Sequence, residues 1–460
     1  MQTHDNIKRD EKYLLMTQTA IKPLVLRMAL PTIISMMVTA LYNVVDAAFI
    51  GHLSTEATAG VGVSFAYMTF IQAFGLYFGL GSGNYMSRVL GARQYQNAEQ
   101  MAATGFGTSF LLGLVASILG LCFLPSLSQL LGATPDIKDY SNQYLTYILI
   151  ATPFMMSSLT LNNQLRLQGS AQYAMIGLAS GAILNMILDP IFIFGLHWGV
   201  RGAAMATACS QLFAWLLLLR GTRLDGNVHL QFKNFQPTWH AYKEITRGGL
   251  PSLCRQGLIC FSTICLNRAA TFYAQTGLEA STIAAFAIVS RIMMFAFAII
   301  LGLGQGFQPV CGFNYGAKLF HRVRASYLFT MTFSTLLLLL MSIFGYIFAP
   351  QLIAIFRDAD ADLIIIGTKV LRWQCAVFIL NGLTTPTNML LQTTGKVIPA
   401  TFLSACRQGI FFLLVICTIP PLYGLNGLIA TQAIADILTF LTATPFAIIA
   451  AKRLKNNKEL

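Results

Sequence analysis

Long apolar runs broken by short polar segments recur from one end of the chain to the other. They cover residues 26–51, 60–85, 100–124, 140–163, 173–195, 201–220, 248–274, 280–309, 325–349, 363–391, 398–419 and 426–450. Runs of about 20 residues or more are long enough to cross a bilayer as helices. Several contain Pro and Gly, which spanning helices tolerate where neighbours re-satisfy the freed backbone groups. The short alternating segments of a membrane barrel are absent. The pattern predicts an all-α membrane protein with twelve transmembrane helices.

The halves of this pattern resemble each other. Ala29-Leu30-Pro31 answers Gly249-Leu250-Pro251 at a shift of 220 residues. Gly79-Leu80-Gly81-Ser82-Gly83 answers Gly302-Leu303-Gly304-Gln305-Gly306 at 223, and Gly91-Ala92-Arg93 answers Gly316-Ala317-Lys318 at 225. Six spans per half is an even number, so both halves share one orientation. The expected architecture is two pseudo-symmetric six-helix bundles related by an axis along the membrane normal. Residues 1–221 form the N-terminal lobe, 222–240 a polar cytoplasmic linker and 241–460 the C-terminal lobe. Two lobes on a loose linker suit alternating access, one rocking against the other.

Composition fits this picture. Of 460 residues 55% are hydrophobic and 10% charged, against about 25% charged in soluble domains. The net charge of +13 reflects loops rich in Lys and Arg, because no basic domain for nucleic acid exists. Lys8, Arg9, Lys12, Lys22, Arg88, Arg93, Arg166, Arg223, Lys233, Lys243, Arg247, Lys318, Arg322, Arg324, Lys396, Lys452, Arg453, Lys455 and Lys458 fall on one side. Only Lys138, Arg201 and Arg357 fall on the other. That asymmetry places both termini in the cytoplasm of a multi-pass protein of the cell (plasma or inner) membrane. The nine cysteines include no CxxC and read as buried thiols. The six histidines lack metal-ligand spacing. No signal peptide is evident, since the first 22 residues are polar.

Two acids interrupt the apolar pattern. Asp46 lies five residues before Gly51 and Asp189 six before Gly195, while Thr207 lies six after Arg201. At about 1.5 Å per residue all three sit roughly 7–9 Å below the outer surface. Asn185 and Tyr42 each precede an acid by four residues and share its helix face. Pro190 frees a backbone carbonyl nearby. A charged side chain in lipid costs at least about 2.5–3.5 kcal/mol and is a functional-site hypothesis by default. One reading is a hydrogen-bond network that locks two spans. Two acids go further, since they repel unless a proton or cation sits between them. In the C-terminal half, Asp436 is the one acid well inside a span, and a structural bridge to an arginine accounts for it.

Other chemistries find no support. Gly79 to Gly83 has no strand before it, so its small residues serve close helix approach rather than phosphate binding. There is no Walker A motif and no mid-span His for a nucleophile–base pair, so the chain is not read as an enzyme.

Leu41-Tyr42-Asn43-Val44-Val45-Asp46, the Asn185–Thr207 block with Leu188-Asp189-Pro190 and Gly202-Ala203-Ala204, and Gly304-Gln305-Gly306-Phe307-Gln308-Pro309 resemble the multidrug and toxic compound extrusion (MATE) family, nearest its bacterial MepA-like multidrug exporters. The resemblance covers the whole chain. It implies a secondary active antiporter that exports amphipathic, often cationic organic compounds in exchange for protons or sodium ions. It implies that Asp46, Asn185, Asp189 and Thr207 bind the coupling cation, with sodium a candidate there and no tightly bound metal. It places Tyr42 and Asn162 along the substrate cavity. It implies no cofactor, a monomer, and the lipid bilayer and small organic substrates as partners. The acids that NorM-type relatives carry in spans seven and ten are absent, which leaves the N-terminal pair as the coupling candidate. A lipid-linked glycan flippase of the same wider superfamily is the alternative. It would need a strongly cationic cavity to hold pyrophosphate.

Overall fold

The computed structural model describes residues 2–273, 278–356 and 361–460, so Arg357 lies outside the described residues. Among them no strand occurs. The first half contains α1 (Gln2–Gln18), α2 (Ile21–Gly51), α3 (Thr55–Gly91), α4 (Tyr95–Cys122), the short α5 (Leu124–Leu130), α6 (Lys138–Leu167), α7 (Ala171–Pro190) and α8 (Gly199–Gly221). The second contains α9 (Trp239–Tyr273), α10 (Glu279–Gly316), α11 (Phe320–Ile347), the short α12 (Ala349–Ala354), α13 (Ala361–Phe378), α14 (Asn381–Thr393), α15 (Val397–Ala405), α16 (Phe411–Thr418) and α17 (Pro420–Lys455).

Eleven spans pass as single helices by length and hydropathy, and α13 with α14 supplies a twelfth, bent by 59°. Each of the twelve apolar runs falls on one of these spans. The helices overrun the runs because their ends are polar. Ser54, for example, caps α3 by accepting the Ala57 N–H at 3.0 Å, satisfying one of the donors a helix start leaves free. Between α8 and α9 the only regular element is a single 3-10 turn, Phe232–Asn234.

The repeat seen in sequence is carried by the backbone. Arg93 and Lys318 both have a φ of 59°, a left-handed conformation few side chains adopt. They end the matched Gly-Ala-Arg and Gly-Ala-Lys turns. The Asn162 Nδ2 donates to the Ala174 carbonyl at 2.7 Å, and Asn388 Nδ2 to the Ala400 carbonyl at 2.8 Å. The two bundles thus share a helix-crossing bond at the same place.

The halves meet along α3 against α9 and α2 against α10. A Cβ at Gly248 would lie 3.0 Å from the Gly81 Cα, so the α3 and α9 backbones touch and only glycine fits. Polar bonds reinforce this seam. Arg88 Nη2 pairs with Glu244 at 2.9 Å, and its Nη1 donates to the Thr393 carbonyl at 2.7 Å. Arg166, 1% exposed, donates across the seam to the Gln305 carbonyl at 2.6 Å and to Gln308 Oε1 at 3.2 Å. Tyr77 and Thr246 hydroxyls meet at 2.7 Å. All of these bonds join helix halves at the lysine- and arginine-rich end of the molecule.

Candidate functional site

The polar layer expected near the other end is assembled from three helices. α2 brings Tyr42 and Asp46, α7 brings Asn185 and Asp189, and α8 brings Thr207. Their packing is tight: Asp189 and Thr207 have no exposed surface and Asn185 has 1%. The spacing of four residues puts each pair on one helix face. Pro190 has no N–H to give the carbonyl four residues back. There α7 widens into a π-turn over Ile191–Gly195. Such single π-turns recur at functional sites.

Asn185 is the hub of the layer. With the amide turned so that both its atoms are satisfied, its nitrogen donates to Asp189 Oδ2 at 3.0 Å, and its oxygen accepts from Thr207 Oγ1 at 3.3 Å and from the Thr207 N–H at 3.2 Å. The amide is therefore oriented by both neighbours and holds one carboxylate in place. The carboxyl groups of Asp46 and Asp189 lie within hydrogen-bonding reach of each other. Asp46 Oδ1 is buried and has no other partner. Two ionised carboxylates repel at this range, so the arrangement calls for a shared proton or a bound cation. The donor set of two carboxylates, an amide and a hydroxyl is all oxygen on the acceptor side, which suits a proton or a hard monovalent ion.

Tyr42 is 8% exposed and faces both carboxylates, with its hydroxyl toward Thr207. It belongs to the carboxylate layer itself. Asn162 does not join that layer: it is 8% exposed, and its amide nitrogen is committed to the α6–α7 crossing described above. One member was missed in the sequence. Tyr144 on α6 is 1% exposed; its hydroxyl donates to Met68 Sδ at 3.8 Å, and it lies near enough to Asp46, Asp189 and Thr207 to interact with them electrostatically. Its only signal in sequence is a phenol within an apolar run, which also describes an ordinary interfacial aromatic.

The C-terminal half holds a different kind of polar cluster. Asp436 on α17 is 5% exposed and fully engaged. Arg407 donates to it at 2.8 and 3.3 Å, Gln432 at 2.9 Å and Asn381 at 3.2 Å. Arg407 also lies 4.2 Å over the Phe297 ring. This is the structural bridge expected for Asp436, with Arg407 as its partner. Among the described residues no cluster of three His, Cys, Asp or Glu that could hold a metal occurs.

The chain matches the MatE family over residues 31–191 and 261–417, and it belongs to that family of membrane transporters. Members of this family are non-enzymatic transporters, and the match falls on both halves of the molecule. Among curated relatives, the multidrug export protein MepA of Staphylococcus aureus (strain MSSA476) is 28% identical, covering 97% of this chain and 98% of its own. MepA of Staphylococcus haemolyticus (strain JCSC1435) is 27% identical over 93% of each. Among solved structures, a multidrug resistance MATE transporter of the MOP superfamily in an outward-facing conformation superposes with a TM-score of 0.89. It is 26% identical and covers 96% of this chain and 98% of its own.

Proposed function

We propose that this transporter is a secondary antiporter that exports amphipathic, often cationic organic compounds in exchange for inward-moving protons or sodium ions. The observation that carries the reading is the Asp46–Asp189 carboxyl contact with its orphaned Asp46 oxygen. A site that must be neutralised to be stable, yet meets no fixed cation among the described residues, is suited to load and release a cation. Asp46, Asn185, Asp189 and Thr207 bind that cation. Tyr42 and Tyr144 position it. Residues 1–221 and 241–460 act as lobes joined by the 222–240 linker. Both termini and the linker face the cytoplasm, as the Lys and Arg bias indicates.

On that orientation the structure is closed on the cytoplasmic side by the glycine seam and the Arg88–Glu244 and Arg166 bonds. Cation loading from outside neutralises the carboxylates and favours closing the outer side. That change exposes the cavity inward and readies it for substrate. The cation and a cationic substrate then compete, directly or by favouring opposite states. The flippase alternative gains nothing from this geometry, since the buried polar layer is acidic.

The test uses proteoliposomes loaded with one cationic dye. An imposed proton or sodium gradient, inward with respect to export, should drive dye against its own gradient. Dye movement indifferent to both gradients would overturn the antiport reading.

A further inference from the structure

Helix α1 lies outside every span, yet it is gripped by both halves. The first half and the linker hold its body. Asp5 Oδ1 accepts the Gly226 N–H at 2.7 Å, and Arg9 pairs with Glu99 at 3.0 Å. Lys12 Nζ donates to Ser170 Oγ at 2.8 Å and to Asn227 Oδ1 at 2.6 Å. The Arg93 guanidinium sits 4.3 Å over the Tyr13 ring.

The second half holds its end. The last carbonyls of a helix have no partner within it. Here Asn314 Nδ2 donates to the Met16 carbonyl at 3.0 Å, and Arg322 Nη2 to the Thr19 carbonyl at 2.5 Å. Arg322 Nε also donates to Asn314 Oδ1 at 2.8 Å, which fixes the pair. Asn314 and Met16 are both fully buried. A cation at a helix C-terminus also meets the negative end of its dipole. So the cap on α1 is supplied in trans by α10 and α11.

When the halves part at this end, both grips cannot survive. Among the described side chains, the grip of the first half and the linker comprises five of α1, with ion pairs from Arg9 to Glu99 on α4 and from Lys8 to Asp225 in the linker. Among the described side chains, the polar grip of the second half is this interlocked pair, beside the packing of Met16 in the core with α10 residues. We propose that Asn314 and Arg322 form a releasable clasp on α1 that holds the transporter closed at its basic end and lets go for opening on that side. The clasp rests on the alternating-access reading above. Because α1 runs through Thr19 and Ala20 into α2, which carries Asp46, a shift of α2 on cation loading is delivered to the clasp.

The test places spin labels at Gln96→Cys and Ile398→Cys, exposed positions at the starts of α4 and α15, in full-length protein whose exposed native cysteines are replaced. Wild type should show a dominant short distance and a minor long one that grows with substrate. Asn314→Ala and Arg322→Gln should each raise the ratio of long to short about tenfold, the effect of one charged or buried hydrogen bond. Arg322→Lys keeps a charged donor but cannot serve both acceptors, so it should shift the ratio less. Dye binding checks that each variant is folded, and if a stronger variant fails this check the lysine variant carries the test. Unchanged ratios in folded variants, while wild type samples both distances, would overturn the clasp alone. A single distance in wild type under every gradient and dye concentration would overturn alternating access and the clasp with it.

Discussion

Asp189→Asn keeps the size of the side chain and its bond to Asn185 while removing the charge. Export should fall at least tenfold, with normal insertion and expression, and Asp46→Asn should do the same. Cys122→Ala and Cys417→Ala, at exposed positions away from the layer, should leave export intact. Resistance assays at matched expression check this. Wild-type resistance in Asp189→Asn cells would remove that residue from the mechanism. The layer was legible because acids in apolar runs are rare and costly, and because a four-residue spacing fixes a shared face. Tyr144 was not, since nothing local ties a phenol on α6 to acids on α2 and α7. The cavity role given to Asn162 came from resemblance alone, and its bond to Ala174 could be seen only once α6 and α7 were packed. Lys12 offers a separate test at this scale. Burial pushes its amine down to about 7, with Arg9 adding to the effect and Asp5 opposing it, while Ser170 and Asn227 face it with neutral atoms. Undocked, the amine has its ordinary value of 10.5, so docked α1 binds the proton less tightly than free α1. Docking therefore strengthens as pH rises above about 7 and loses nothing more below it. A spin label at exposed Leu14→Cys should become more ordered between pH 7 and pH 9. Lys12→Gln should abolish that change, and a change that persists would contradict it.

At the scale of elements, the glycine seam should be decisive for one state only. Gly248→Leu inserts a side chain where the α9 backbone meets Gly81, so the basic end cannot close. Dye should still bind while export stops, and the labels on α4 and α15 should report the long distance. Normal export would show that the seam opens and closes by another route. The Arg407–Asp436 bridge makes the opposite prediction. Asp436→Asn leaves a guanidinium without its carboxylate in a largely buried site, which costs stability. Tm should fall, but cation-driven dye displacement should remain. The twelve spans could be read directly because lipid forces every backbone group into helices, and apolar length reports them. The matched proline and glycine motifs gave the repeat. Helix α1 could not be read. Its sequence is polar, its apolar residues are few, and what makes it a helix is the set of partners from both halves. The short α5 and α12 escaped for a similar reason, being too short to carry a period.

For the whole molecule, α2 links the carboxylate layer near one end to the seam and the proposed clasp at the other. The central claim is that the N-terminal carboxylate pair alone couples ion to substrate. It is tested most directly by dye displacement from purified protein. Lowering pH, or raising sodium, should displace bound dye from wild type and from Asp436→Asn. The Asp46→Asn/Asp189→Asn double variant should still bind dye and lose the displacement. Full ion-dependent displacement in the double variant, with loss in Asp436→Asn, would place the coupling site in the C-terminal half and contradict the account.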